Sequence, residues 1–229
     1  MSLYYQDEFV TLYHGDCLGL DPKADKHLQW LDADVLVTDP PYGMSYTGFG
    51  GRGYRDDASK HKAIAGDADT VVRDSVLEAW GDRPALVFGT WRVQRPAGTR
   101  QLIIWDKSHN GPGMGALDLP WGPSHEEIYA LGSGFVGKRE GSVLKVTPYN
   151  SQSADRPDHP TPKPVGLMER LLMKCPPGVV ADPSAGGGAT LVAARNLGRK
   201  SIGVELEEKY CEVIAKRFDQ GALELEWTA

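Results

Sequence analysis

Short apolar runs bounded by turn residues recur along the chain, at Phe9–His14, Val35–Thr38, Ala85–Phe88, Gln101–Trp105, Glu127–Leu131, Val179–Ala181 and Ser201–Val204. Runs of this length between Gly, Pro and Asp positions predict strands. Between several of them the apolar spacing changes to that of a helix. Val71–Trp80 puts Val72, Val76 and Trp80 on one face, and Val165–Lys174 carries Leu167, Leu171 and Leu172. Ala189–Leu197 and Glu208–Phe218 are further helices. Strands alternating with helices predict an α/β fold: a mixed, mostly parallel sheet with helices on both faces. Two stretches break the rhythm. Met44–Ala65 is rich in Gly, Arg, Lys and Asp, and Gly132–Pro164 in Gly, Ser and Pro. Both read as long loops, which in a compact domain usually carry function or are disordered.

A chain of 229 residues can bury one substantial core, so one domain over 1–229 is the expectation. No apolar run approaches the roughly 18–20 residues that span a bilayer, and the first residues lack the basic and apolar regions of a signal peptide. Cys17, Cys175 and Cys211 are scattered and form no C-x-x-C pair, which points away from a disulfide framework or a zinc site. A reducing cytoplasm is the expected location. The formal net charge of −6 is awkward for a protein that holds phosphates. The distribution changes that picture: residues 49–163 carry 15 Lys/Arg against 14 Asp/Glu, whereas residues 1–48 carry 2 against 8. The middle of the chain is where a polyanion would meet least repulsion.

Two segments carry candidate chemistry. Asp39-Pro40-Pro41-Tyr42 follows the strand Val35–Thr38. Consecutive prolines stop the strand and fix the backbone, giving a rigid elbow with one carboxylate, one free carbonyl and one aromatic face. An exocyclic base amine is a poor nucleophile because its lone pair is delocalised into the ring. Asp39 and the Pro40 carbonyl can each accept an amine hydrogen and free that lone pair, while Tyr42 stacks on the base. A plain proline turn with Asp39 as a local cap is the alternative. Near the other end, Val179-Val180-Ala181 leads through Asp182-Pro183-Ser184-Ala185-Gly186-Gly187-Gly188 into a helix that begins with Ala189 and Thr190. Strand, glycine-rich turn and helix is the nucleotide-binding arrangement of doubly wound sheets, and the acidic Glu205 ending the next strand suits ribose hydroxyls. The glycine spacing departs from G-x-G-x-x-G, which argues against NAD.

Together these segments resemble the DNA amino methyltransferases, which methylate adenine N6 or cytosine N4. The resemblance extends to His159-Pro160-Thr161-Pro162-Lys163-Pro164 before the cofactor strand and to Gly15-Asp16-Cys17-Leu18 after the first strand. The order of elbow, variable middle, histidine motif and cofactor turn resembles the β group, a circular permutation of the usual methyltransferase order. The resemblance covers most of the chain, with nothing diagnostic in 132–157.

It implies a Rossmann-like S-adenosylmethionine-dependent fold, with elbow and cofactor turn on adjacent central strands. It implies catalytic Asp39, Pro40, Pro41 and Tyr42. Asp182, Gly186 and Gly188 would line the methionine part of S-adenosylmethionine, Glu205 the ribose and Asp16 the adenine amine, with Cys17, Pro183, Ser184 and Thr190 as further cofactor contacts. His159, Thr161 and Lys163 would border the cofactor's carboxylate. Two side chains depart from the family's habit: Ser184 stands where Phe is common, and Pro162 where Gln is common.

The partner that the resemblance implies is double-stranded DNA, with Arg52, Arg55, Lys138, Arg139 and Lys145 as the expected substrate contacts. A short target-recognition region over about 132–157 implies a short target site, unless a homodimer adds a second set of loops. Any restriction nuclease would be a separate chain. Asp39 at the first elbow position points to adenine N6. Cytosine N4, an RNA substrate, or an inactive module that binds DNA and cofactor remain the alternatives. His125-Glu126-Glu127 lacks the partners of a metal site, and no metal is expected. It reads as structural or DNA-proximal. Trp91-Arg92 and Trp105-Asp106-Lys107 either close the core or face the base.

Overall fold

The computed structural model describes residues 1–19, 28–41, 69–108, 111, 118–150 and 156–226, with backbone alone from 220 onward. Its centre is one mixed sheet. Strands β1 (Ser2–Gln6), β2 (Val10–His14), β3 (Val35–Thr38), β4 (Ala85–Gly89), β5 (Gln101–Asp106), β6 (His125–Leu131), β7 (Val143–Lys145), β8 (Val180–Asp182) and β9 (Ser201–Glu205) lie in the order β1-β2-β9-β8-β3-β4-β6-β5-β7. The run β2-β9-β8-β3-β4 is parallel, and β6 lies antiparallel between β4 and β5. Among the described residues four α-helices complete the fold: α1 (Val71–Trp80), α2 (Val165–Leu172), α3 (Ala189–Asn196) and α4 (Glu208–Glu226).

The alternation of side chains along the central strands explains why both faces are covered. Val35, Val37, Leu86 and Phe88 point to one face, where they meet Leu167, Met168, Leu171 and Leu172 of α2 and Ala193 of α3. Leu36, Ala85 and Val87 point to the other, against Val76 and Trp80 of α1 and the stacked Trp30. A third cluster joins Val10 and Leu12 to Leu191 of α3 and Ile214 and Phe218 of α4. The expected helices and the mostly parallel sheet are therefore present.

Two strands fall outside the sequence expectation. β1 pairs antiparallel with β2. β7 lies inside the stretch read as loop and pairs parallel with β5. Trp105 resolves to the core reading: it is buried, and its indole N–H donates to the Val146 carbonyl at 2.7 Å. Trp91 does not, being 66% exposed.

The chain leaves β3 through α1 to β4 on one side, and leaves β8 through α3 to β9 on the other. β3 and β8 are parallel neighbours, so their carboxyl ends flank the switch point where doubly wound sheets open a crevice for ligand. Among the described residues, no helix is long and apolar enough to cross a membrane.

Candidate active site

The crevice at this switch point is a cavity of about 340 Å³, within the range of small-molecule sites. Each expected element delivers residues to it. The end of β3 gives Asp39, Pro40 and Pro41, and the end of β2 gives Gly15, Asp16 and Cys17. The turn after β8 gives Asp182, Pro183, Ser184, Ala185 and Gly186, followed by Thr190 of α3. Glu205 comes from the end of β9, and the segment before α2 supplies His159, Thr161 and Lys163. Elbow and cofactor turn thus lie side by side. Tyr42, Arg52 and Arg55, and with them Lys60 and Lys62, lie outside the described residues.

The glycine turn is held by a carboxylate. Glu205 accepts from the Gly186 N–H through Oε2 and from the Glu207 N–H through Oε1, both at 2.8 Å. Burial pushes its carboxyl up to about 7, although these two N–H groups pull the other way. Asp182 is buried beside it and accepts from the Thr38 hydroxyl at 2.8 Å and the Ser184 N–H at 3.2 Å, tying β8 to β3. Burial raises its carboxyl to about 6.

Gly186 has φ +52°, and a Cβ there would meet His159 Nε2 at 3.1 Å. Only glycine leaves this turn its backbone conformation and its clearance. The His159 ring accepts from the Thr161 N–H through Nδ1 and packs edge-on against Tyr210. Burial, with Lys163, Arg156 and Lys209 adding to it, lowers its pKa to about 4, so the ring is neutral near pH 7. Gly188 alone of the expected cofactor residues does not line the cavity. It starts α3 at φ +75°, where a Cβ would come within 2.9 Å of Ile214 Cγ1, so its role is packing.

At the elbow the structure adds a partner that the sequence reading missed. The Lys163 ammonium, only 7% exposed, donates to Asp39 Oδ2 and lies 3.3 Å from Glu126 Oε2. Glu126 Oε1 in turn accepts from Lys107 at 2.7 Å. Burial pushes the Glu126 carboxyl up, but Lys163 and Lys107 pull harder and hold it below the usual carboxylate range. Glu126 reaches the cavity because β6 runs antiparallel, which brings its first residues to the edge where β3 and β4 end. Glu127 has a different task. It accepts from the Tyr129 hydroxyl at 2.5 Å and from Arg95 at 3.3 Å, closing the loop after β4. Among the described residues, no group of acidic, His and Cys side chains is arranged to hold a metal. Other residues beyond the expected set that line the cavity include Gly187, Glu207, Tyr210 and Val72.

Two of the expected substrate contacts change position in the picture. The Lys138 carbonyl accepts from Lys174 just past the end of α2, and the nearby Glu140 pairs with Lys174 and Arg170. That is the edge where β8 begins, so Lys138 and the adjacent Arg139 lie across the sheet from the elbow. Arg156 donates to the carbonyls of His159 and Pro160 and braces the histidine motif. Lys145, by contrast, ends β7 on the active edge, 67% exposed and 3.9 Å from Asp106.

The lining fits S-adenosylmethionine on its own chemistry. Acidic groups outnumber cations among the described lining residues, which suits a sulfonium and an ammonium. Glu205 offers acceptors for a diol, and the glycine turn gives the close backbone approach.

The family profile described as "DNA methylase" (N6/N4 methyltransferase) matches residues 74–217. The type II methyltransferase M2.LlaDCHI of Lactococcus lactis subsp. cremoris is 39% identical over 253 residues, covering 96% of this chain and 93% of its own length. M.ScaI of Streptomyces caespitosus is 26% identical over 270 residues, covering 97% and 85%. Among solved structures, the M1.HpyAVI complex with S-adenosylmethionine superposes with a TM-score of 0.63 at 20% identity, covering 91% of this chain and 98% of its own. The cytosine-N4-specific PvuII DNA methyltransferase gives 0.61 at 15% identity, covering 95% and 89%. These superpositions bear out the Rossmann-like methyltransferase fold, and the chain belongs to the family of N6-adenine/N4-cytosine DNA amino methyltransferases, enzymes that take their methyl group from S-adenosylmethionine.

Proposed function

We propose that this enzyme methylates N6 of an adenine flipped out of double-stranded DNA. The observation that carries the reading is the single crevice shared by the Asp39-Pro40-Pro41 elbow and the Gly186–Glu205 cofactor turn. A base inside a duplex cannot reach that crevice and must be extruded. Asp39 and the Pro40 carbonyl accept the two amine hydrogens, which turns the nitrogen lone pair out of conjugation and toward the cofactor turn. Bound S-adenosylmethionine supplies an electrophilic methyl: the N–C bond forms as the C–S bond breaks, its electron pair staying on sulfur in S-adenosylhomocysteine. The nitrogen is cationic after transfer and loses its proton readily, so no strong base is needed beforehand. The rate comes from alignment and from fixed acceptors around the amine.

Adenine is favoured over cytosine because the first elbow position is Asp39, the residue usual there for adenine in this family, where Ser is usual for cytosine. The DNA lies along the edge where β4, β5 and β7 end, which carries the exposed Trp91, Arg92 and Lys145. Arg52, Arg55 and the part of the 132–157 recognition region that follows β7 complete the contact. No large reading element stands on this edge among the described residues, which supports a target of about four base pairs or fewer, each good base contact being worth roughly 1–3 kcal/mol of discrimination. The test is incubation with labelled S-adenosylmethionine and unmethylated plasmid DNA, followed by digestion and mass spectrometry of the nucleosides. N6-methyldeoxyadenosine is expected; N4-methyldeoxycytidine as the labelled product overturns the adenine assignment.

A further inference from the structure

Four alternating charges run from the elbow into the sheet: Asp39, Lys163, Glu126 and Lys107. They come from four separate places in the chain, namely the end of β3, the segment before α2, the start of β6 and the end of β5. Lys163 lies over the Phe88 ring, 5.1 Å from its centroid, and Lys107 over Trp105 at 5.2 Å. Stability alone explains such a chain poorly, because a buried ion pair is often no better than apolar side chains of the same volume. An ammonium on a flexible four-carbon stem is also a poor orienting device by itself. A second carboxylate changes that. The ammonium is hydrogen-bonded to Asp39 and ion-paired with Glu126 at 3.3 Å, and this second attraction opposes its sliding along the elbow carboxylate.

We infer that Glu126 is a positioning residue for methyl transfer, setting the plane of the Asp39 carboxylate through the shared Lys163 ammonium. The inference rests on the reading of Asp39 as the acceptor for the target amine. Lys107 anchors Glu126 from the other side, and burial of Lys163 at the centre, with the other three charges each largely covered, limits screening by water. Lys163 then serves the elbow rather than the cofactor's carboxylate.

Glu126→Gln keeps the volume and removes the charge. With tritiated S-adenosylmethionine and unmethylated plasmid DNA, the single-turnover rate is expected to fall by on the order of 10²-fold, the cost of a misplaced reacting group. The dissociation constants for S-adenosylhomocysteine and for the duplex, and the urea midpoint, stay at their wild-type values. A wild-type rate overturns the inference. So does a rate loss matched by an equal loss of cofactor affinity, which marks a merely structural role. Asp39→Ala measured alongside separates the two levels: if it transfers normally, the elbow reading itself fails. If it is inactive while Glu126→Gln is normal, only the inference fails. Should Glu126→Gln not fold, Lys107→Met decides, with a smaller rate loss supporting the inference and a wild-type rate overturning it.

Discussion

At the cofactor turn, Asp182 and Glu205 are buried against backbone N–H groups and hydroxyls. At the elbow, across the same cavity, the partly buried Asp39 and Glu126 are paired with lysines. Among the described residues the first pair has dipoles but no cation in contact, and burial raises both carboxyls, to about 6 and about 7. In the second pair Glu126 is held below the usual range by Lys163 and Lys107, despite burial. The two proposed roles account for the difference. A turn that grips an uncharged diol and a cationic cofactor gains from acceptors whose charge is left for the ligand to satisfy. An elbow that must present fixed acceptors to a weakly nucleophilic amine gains from charge neutralised in advance by the protein.

The largest expected effect comes from breaking the elbow side. Asp39→Ala should lower methyl transfer by on the order of 10³-fold or more while leaving S-adenosylhomocysteine binding close to wild type, as read by an activity assay and calorimetric titration. Near-normal turnover would make the elbow a turn like any other. On the other side, Glu205→Gln should weaken cofactor binding by roughly 1.5–3 kcal/mol, the range for a charge-assisted hydrogen bond, with transfer at saturating cofactor much less affected. An unchanged dissociation constant would leave Glu205 as a brace for Gly186 alone.

The raised carboxyl of Glu205 sharpens the comparison through pH. Between the unfolded value of 4.5 and the folded value of about 7, the folded protein holds a proton that the unfolded chain has released. The group's contribution to stability is therefore fully present below about pH 4.5 and is lost as pH rises through about 7. Ribose hydroxyls donate to the ionised form, so cofactor affinity should move the opposite way and climb from about pH 6 to 8. Titrations across this range check it, and the rise should flatten in Glu205→Gln. The smallest effect is Thr38→Val, which removes one donor to buried Asp182. It should cost about 1 kcal/mol of stability, measured by the urea midpoint, with little change in transfer rate.

Much of this was legible in the residues. The elbow and the cofactor turn announce themselves because prolines and glycines there do backbone work that few substitutes allow, and the parallel strands because they are apolar on both faces. β7 was not legible: Val143-Leu144-Lys145 is too short to signal a strand and becomes one only by pairing with β5. Glu126 was hidden for a related reason. Its neighbours suggest a strand start, but only the antiparallel insertion of β6 between β4 and β5 brings that start to the active edge. Lys138 and Arg139 show the converse. Positive charge in a loop is visible in sequence, whereas the edge of the sheet on which the loop turns is not.

The pairing of β3 with β8 joins Val35 to Val180, and it has a consequence for how activity arises during synthesis. A growing chain carries its elbow directly after β3, but the strand beside it, the glycine turn and Glu205 emerge only after α2. Closing so long a loop is slow, because its entropy is lost before any contact repays it. No amino-terminal fragment ending before Glu205 can assemble the crevice. The enzyme should therefore remain inert toward DNA until the chain has been made through Glu205, and then acquire both halves of its site in one step.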